Sequence, residues 1–322
     1  MSKTTDTILA ILYQHRDTYV SGQTIASSLN ISRTAVKKHI DTLKSDGCAI
    51  ESVNHRGHRL CALPDKWYPA LVTLATTSTL FDQIHVLDRC PSTQQIAKQN
   101  LIGNQDSWLI MSNVQTAGHG RFKRPWASAE GKGLWASIVL RPNVPFSMIT
   151  HFNLFIALGI RDAIQHFVDD PVTVKWPNDI YIHDKKICGF LTEMVANNDG
   201  IEAIICGIGI NMTQPADAFK SDLLQHATSM QLHRETPLNR YDFLQYLLEC
   251  IKVRYEAFLT EPFSTIKETY QSVSNIWNRK LKFTENEKQF IGEAIEINDQ
   301  GYLIVRDQEG VIHQLMSADI EL

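Results

Sequence analysis

Lys175-Trp176-Pro177-Asn178-Asp179, with Lys185-Lys186 and Gly189 close behind, is the stretch that decides how the middle of this chain folds. Residues 172–175 and 179–182 read as strands, and Pro177 restricts the backbone between them to a bend. A second, shorter reversal follows at His183-Asp184-Lys185. Strands joined this tightly must pair antiparallel, so a plain doubly wound parallel sheet is not expected.

Working outward, further strand-like runs fall at 83–88, 108–113, 134–141, 187–195 and 201–210, and helical runs at 92–101, 151–168 and 241–260. The reading is a mixed-sheet α/β (α+β) domain spanning 64–270. Beyond about 271 come short strands at Leu281–Phe283, Phe290–Ile297, Tyr302–Arg306 and Val311–Leu315, separated by turns at Asn298–Gly301 and Asp307–Gly310. That pattern predicts a small SH3-like β-barrel over 271–322.

Residues 1–63 read differently. Ile8, Leu9, Ile11 and Leu12 mark a first amphipathic helix, and Ser21 can cap a second over Gln23 to Leu29. Ser32 can cap a third running to about Ser45, with Val36, Ile40 and Leu43 on one face. Two short strands, 49–53 and 58–60, then flank Asn54-His55-Arg56-Gly57. This is a winged helix-turn-helix, the motif itself lying within Gly22 to Asp41. Eight Lys and Arg against five Asp and Glu over residues 1–61 give it a local charge of +3, although the whole chain carries −4. Arg33, Thr34, Lys37 and Lys38 on the third helix, and Arg56 on the wing, are the expected phosphate or base contacts.

The chain has 322 residues, 43% of them hydrophobic and 20% charged, as in an ordinary globular protein. No apolar run approaches the roughly 18–20 residues of a membrane span. The first residues have neither the apolar core nor the cleavage site of a signal peptide, so a cytoplasmic protein is expected. Six scattered cysteines with no C-x-x-C predict reduced thiols and no zinc ligand set.

Two more segments carry chemistry. Gly118-His119-Gly120-Arg121-Phe122-Lys123-Arg124-Pro125-Trp126 is a glycine-spaced basic loop after a strand. Its glycines are expected to let the backbone approach a ligand in conformations closed to other residues. It has no G-K-[S/T] and lacks the context of a dinucleotide-binding turn. Ile204-Ile205-Cys206-Gly207-Ile208-Gly209-Ile210-Asn211 alternates glycine with isoleucine, leaving a flat slot on one strand face. Basic loop, lysine-bearing hairpin and slot together suit the holding of two anions against each other beside a planar ring.

With these segments in view, the chain resembles the bifunctional biotin–protein ligases that also act as biotin operon repressors. Residues 21–46 look like that family's helix-turn-helix. Ser92-Thr93-Gln94 stands where the family carries Ser-Thr-Asn, and Gln115 through Arg121 resemble its Q-x-A-G-R-G-R loop. K-W-P-N-D, the K-x-x-G of Lys186 to Gly189, and G-I-G-I-N at 207–211 follow in the family's order.

The resemblance implies an ATP-dependent ligase that joins biotin to the biotin carboxyl carrier protein of acetyl-CoA carboxylase through biotinyl-5′-AMP. It implies operator DNA as a second partner, Mg²⁺ with the ATP, no resident metal site, and a homodimer when adenylate is bound. Biotin would be held by Ser92, Thr93, Gln94, Gln115, His119, Gly120, Arg121, Lys186, Gly189, Gly207 and Gly209. The nucleotide would meet Arg121, Arg124, Trp126, Lys175, Asn178, Asp179 and Asn211, with Arg121, Lys175 and Lys186 catalytic.

His119 replaces a frequent arginine, Lys123 a frequent glycine, and Gln94 is one methylene longer than asparagine. Three other readings stand beside this one: a ligase without a cognate operator, a biotin sensor that does not ligate, and a lipoate or octanoate ligase. Charge around an α-phosphate disfavours the sensor, and the polar Ser92, Thr93 and Gln115 favour a ureido ring over an acyl chain.

Overall fold

Three serines start the first three helices. Ser2, Ser21 and Ser32 each accept a hydrogen bond from the backbone amide three residues on, capping α1 (Lys3–Gln14), α2 (Gly22–Leu29) and α3 (Arg33–Ser45). The computed structural model describes residues 2–77, 79–101, 103–197, 200–219, 225–285, 288–318 and 320–321. Val36, Ile40 and Leu43 are buried as the spacing predicts, while Arg33, Thr34, Lys37 and Lys38 are exposed. Strands β1 (Ala49–Val53) and β2 (Gly57–Ala62) pair antiparallel as the wing. Arg56 is exposed at its tip, with its guanidinium 4.4 Å from the Tyr19 ring centre.

A helix not expected from the sequence follows, α4 (Pro69–Ala75), and it packs on α1. Behind it the winged helix is tied to the central domain by polar and aromatic contacts. Tyr68 donates to the Asp46 carboxylate at 2.7 Å, and Tyr13 donates to Asn239 at 3.1 Å while meeting Tyr241 edge-on.

The central sheet has seven strands: β3 (Gln83–Cys90), β4 (Trp108–Gln115), β5 (Gly133–Leu140), β6 (Val172–Lys175), β7 (Asp179–Ile182), β8 (Lys185–Asn197) and β9 (Gly200–Asn211). Their order is β3-β4-β5-β9-β8-β7-β6. Among the described strands of this sheet, β3 and β4 pair parallel and the rest antiparallel. The two reversals around Asp179 give the antiparallel β6-β7-β8 end, as the bend and hairpin predict. Helices α6 (Ile149–Phe167) and α7 (Arg240–Thr260) cover one face, and the shorter α5 (Thr93–Gln99) lies on the other.

A further unexpected helix, α8 (Ser264–Ser272), carries helical chain past 270, and Ser274 bridges to Val174 of β6. The last strands are β10 (Lys280–Glu285), β11 (Lys288–Ile297), β12 (Leu303–Asp307), β13 (Ile312–Leu315) and β14 (Ile320–Glu321). They form one antiparallel sheet in the order β13-β12-β11-β10-β14, around Leu281, Phe283, Ile297, Leu303, Val305 and Leu315. The bend at Trp176-Pro177, whose peptide is cis, rests against it, since the buried Trp176 indole donates to the Gly301 carbonyl at 3.2 Å.

Candidate active site

Side-chain alternation on β9 makes the floor of the site. Ile204, Cys206, Ile208 and Ile210 turn into the main core, so Gly207 and Gly209 open on the opposite face. Pairing aligns Gly209 with Trp135 of β5 and Gly189 of β8, and Gly207 with Ser137 and Leu191. The glycine strip expected on β9 therefore extends onto β8 through Gly189 and is bounded on β5 by Trp135 and Ser137.

What fills that strip is specific. A Cβ on Gly209 would sit 2.7 Å from the Trp126 indole, and one on Gly189 would sit 3.2 Å from it. A Cβ on Gly207 would sit 2.5 Å from Gln94 Oε1. Thus Gly209 admits the flat ring of Trp126, Gly189 admits the end of the Lys186 side chain and the edge of that ring, and Gly207 admits the longer arm of Gln94. The Trp126 Nε1–H is buried with no acceptor among the described residues.

Above this floor is a cavity of about 400 Å³. At one end lies a buried polar network. The Thr93 amide and hydroxyl both donate to Gln115 Oε1, at 2.8 and 3.2 Å. Gln115 Nε2 donates to Ser128 Oγ at 3.0 Å. Ser137 Oγ is 2.8 Å from Thr93 Oγ1, and Gln94 Nε2 donates to Glu193 at 2.8 Å and to the Ile205 carbonyl at 3.1 Å. Ser92 is buried beside them. Such a set of fixed donors and acceptors suits a small planar ligand with both functions on one edge.

The basic loop overhangs the cavity, with one departure from expectation. Neither Gly118 nor Gly120 takes a left-handed backbone; that conformation falls on Phe122 (φ 53°) and Lys123 (φ 56°). Gly118 serves close packing instead, since a Cβ there would meet Ser128 Oγ at 2.7 Å. Phe122 is exposed. Arg121 reaches away from the loop and donates to the Ala318 carbonyl at 3.0 Å, to Ser317 Oγ, and to Asn178 Oδ1 at 3.4 Å. His119 and Arg124 are exposed on the cavity rim.

At the other end, Lys186 Nζ is 2.7 Å from Asp179 Oδ1 and 5.5 Å from the Trp126 ring centre. Asp179 is the only carboxylate of the described lining. Asn178 is buried, its amide donating to the Phe190 carbonyl and its oxygen accepting from Arg121, so it orients the guanidinium. Asn211 donates to the Thr228 carbonyl at 3.0 Å and accepts from Gln214 at 2.8 Å. Lys175 differs from its partners: it does not line the cavity, and its ammonium lies 5.5 Å from the ring centre of Tyr181, which does.

Neither Cys188 nor Cys206, each next to a glycine of the strip, offers a ready covalent nucleophile. Burial pushes the thiol of Cys206 up to about 12 and that of Cys188 upward as well, and both face the main core. The arrangement can place and neutralise anions; it is built for transfer between bound substrates. Sequence reading missed Ser128, Ser137, Glu193, Tyr181 and Gln214. Ser137 had a signal: it is the lone hydroxyl in a strand buried along its whole length.

A winged helix joined to a mixed-sheet domain of this kind defines a ligase fold with a DNA-binding module, and comparison with known proteins agrees. Residues 86–211 match the biotin/lipoate A/B protein ligase family, and residues 4–59 match an HTH domain. The chain is 35% identical to the bifunctional ligase/repressor BirA of Bacillus spizizenii, over 98% of this chain and 97% of that protein. It is 27% identical to BirA of Escherichia coli, over 94% and 92%. The biotin protein ligase of Aquifex aeolicus in complex with biotin and ATP shares the fold, with a TM-score of 0.64 at 24% identity, covering 75% of this chain and 99% of that one. The chain belongs to the bifunctional ligase/repressor family.

Proposed function

We propose that this protein forms biotinyl-5′-AMP from biotin and ATP and passes the biotin to a lysine of the biotin carboxyl carrier protein of acetyl-CoA carboxylase. One observation carries the reading. A single cavity has a buried donor–acceptor network at one end and the Lys186–Asp179 pair at the other, under a loop bearing Arg121. The network of Ser92, Thr93, Gln94 and Gln115 suits the ureido ring, and Gly189, Gly207 and Gly209 come beneath the bicycle once the Trp126 ring that lies on them moves aside. Its polarity favours biotin over a plain acyl chain.

In the first step a carboxylate oxygen attacks the α-phosphorus and pyrophosphate leaves. Lys186 and Arg121 neutralise the charge gathered there, with His119, Gly120 and Arg124 closing over it. Trp126 covers the adenine beside Asn211, and Asn178 positions Arg121. In the second step the acceptor amine attacks the acyl carbon, AMP leaves and a proton is lost. Positioning can supply roughly 7–11 kcal/mol of such a barrier. Lys175 contributes positive potential from behind Tyr181. One carboxylate at the phosphate end fits Mg²⁺ that arrives with ATP, since Mg²⁺ keeps waters and needs only one or two carboxylates besides the phosphates. Bound there, Mg²⁺ would offset phosphate charge next to Asp179.

The exposed Arg33, Thr34, Lys37, Lys38 and Arg56 support operator binding by residues 1–63, as a homodimer once the adenylate is held, with 64–270 and 271–322 forming the ligase. No described helix is long and apolar enough to cross a membrane, and a cytoplasmic site of action is proposed. The test is incubation with biotin, MgATP and a biotin carboxyl carrier domain. Biotin on the acceptor lysine is expected, with a large loss in Lys186→Ala; an unmodified acceptor overturns the ligase reading. An electrophoretic shift of operator DNA that needs biotin and ATP, and is lost in Lys37→Ala/Lys38→Ala, tests the repressor.

A further inference from the structure

Asp170, His183 and His233 meet outside the cavity, from three separate segments. Asp170 lies in the turn between α6 and β6, His183 at the β7–β8 reversal, and His233 at the end of a 3-10 turn, Met230–His233. One ligand atom of each lies within 4.8 Å of the other two. Asp170 Oδ2 is 2.6 Å from His233 Nδ1, and Oδ1 is 3.5 Å from His183 Nε2.

The buried side of the cluster is built. His233 is 11% exposed, and its second nitrogen, Nε2, is 2.7 Å from Thr228 Oγ1. A proton on Nε2 donated to that hydroxyl leaves the Nδ1 lone pair aimed at the cluster. Holding the outer nitrogen of a ligating imidazole in this way is what metal sites require. Asp170 and His183 are more open, at 41% and 63%, so water has access to complete a coordination sphere. Two imidazoles and one carboxylate are a donor set for a borderline divalent ion, with three protein ligands and one open position.

We propose that Asp170, His183 and His233 bind a single divalent transition-metal ion of the Zn²⁺ type, with Thr228 fixing the tautomer of His233. The cluster is spatial: its members stand 13 and 50 positions apart in the chain, so the absence of a C-x-x-C gave no sign of it. The ion takes the place of the hydrogen bond between Asp170 and His233. It also braces the hairpin that carries Lys186. The Thr228 amide donates to the Lys186 carbonyl at 3.0 Å, and the Lys186 amide donates to the His226 carbonyl at 2.7 Å.

The test uses the full chain stripped with a chelator and titrated with Zn²⁺ against a chromophoric competitor. One ion per chain is expected. His183→Asn, which keeps a residue tolerant of the left-handed backbone at this position (φ 52°), and Asp170→Asn should each weaken binding at least about tenfold. Thr228→Val should weaken it by about 10–100-fold. Cys61→Ser and His55→Gln, exposed thiol and imidazole elsewhere, should leave it unchanged. Circular dichroism of each metal-free variant controls for folding. A stoichiometry well below one, or an affinity unmoved by His183→Asn and Asp170→Asn, overturns the proposal.

Discussion

Replacing Gly207 by alanine tests the reading that this glycine exists to admit Gln94. The new Cβ would stand 2.5 Å from Gln94 Oε1 and 3.2 Å from its Cδ, so the amide must move. Moving it breaks the bonds to Glu193 and to the Ile205 carbonyl. Two buried hydrogen bonds at about 1 kcal/mol each, plus overpacking of about 1–3 kcal/mol, predict a loss of about 3–5 kcal/mol. The diagnostic measurement is a double-mutant cycle by urea denaturation. In a Gln94→Ala background the clash is gone, so Gly207→Ala should cost under about 1 kcal/mol there, a coupling of at least about 2–4 kcal/mol. Additivity within about 0.5 kcal/mol would refute the argument, and would assign the glycine to backbone conformation instead.

Other consequences are as direct. His313 is hydrogen-bonded on both sides, by Asp307 and Glu285, which raises its pKa from the ordinary 6.5, while the same contact lowers that of Asp307. The His313 contribution to stability is therefore full below pH 6.5 and lost as pH rises through its raised folded value; His313→Gln should flatten that alkaline decline in unfolding free energy. Lys123→Gly removes about 1–2 kcal/mol of left-handed strain and adds roughly 1 kcal/mol of unfolded-chain entropy, so its urea midpoint should hold or rise; a loss above about 1 kcal/mol contradicts this. Tyr68→Phe leaves Asp46 without its 2.7 Å donor and should cost about 1–3 kcal/mol in thermal unfolding. His119→Arg, which places a permanent charge on the rim, should slow release of the adenylate in a single-turnover chase; an unchanged or faster rate counts against it.

Much of this architecture was legible because local rules and tertiary contacts agree. Serine caps, the Val36–Ile40–Leu43 stripe and the Ile/Gly alternation each have one low-energy solution, and each appears in the fold. The two short helices were hidden for opposite reasons. In α4 the apolar residues run nearly continuously, so no helical period stands out, and no side chain caps it. In α8 only Ile266 and Tyr270 are buried, too few to show a stripe.

The site divides the same way. Sequence placed the glycines on one face but not what would lie on them, because the Trp126 and Gln94 contacts are long-range. The left-handed positions at Phe122 and Lys123 were missed because neither residue type favours that conformation. Lys175 looked equivalent to Lys186 by spacing, yet only Lys186 lines the cavity.

The bonds from Arg121 to Ser317 and Ala318 join groups 196 and 197 positions apart. A ribosome adding about 5–20 residues per second needs roughly 10–40 s to go from one to the other. Over that interval the chain makes the rest of its sheet, Asn178 and the glycine floor, all of which follow Arg121 in sequence and precede Ser317. The contacts of the basic loop to Ser317 and Ala318 therefore form only after the central sheet has been made.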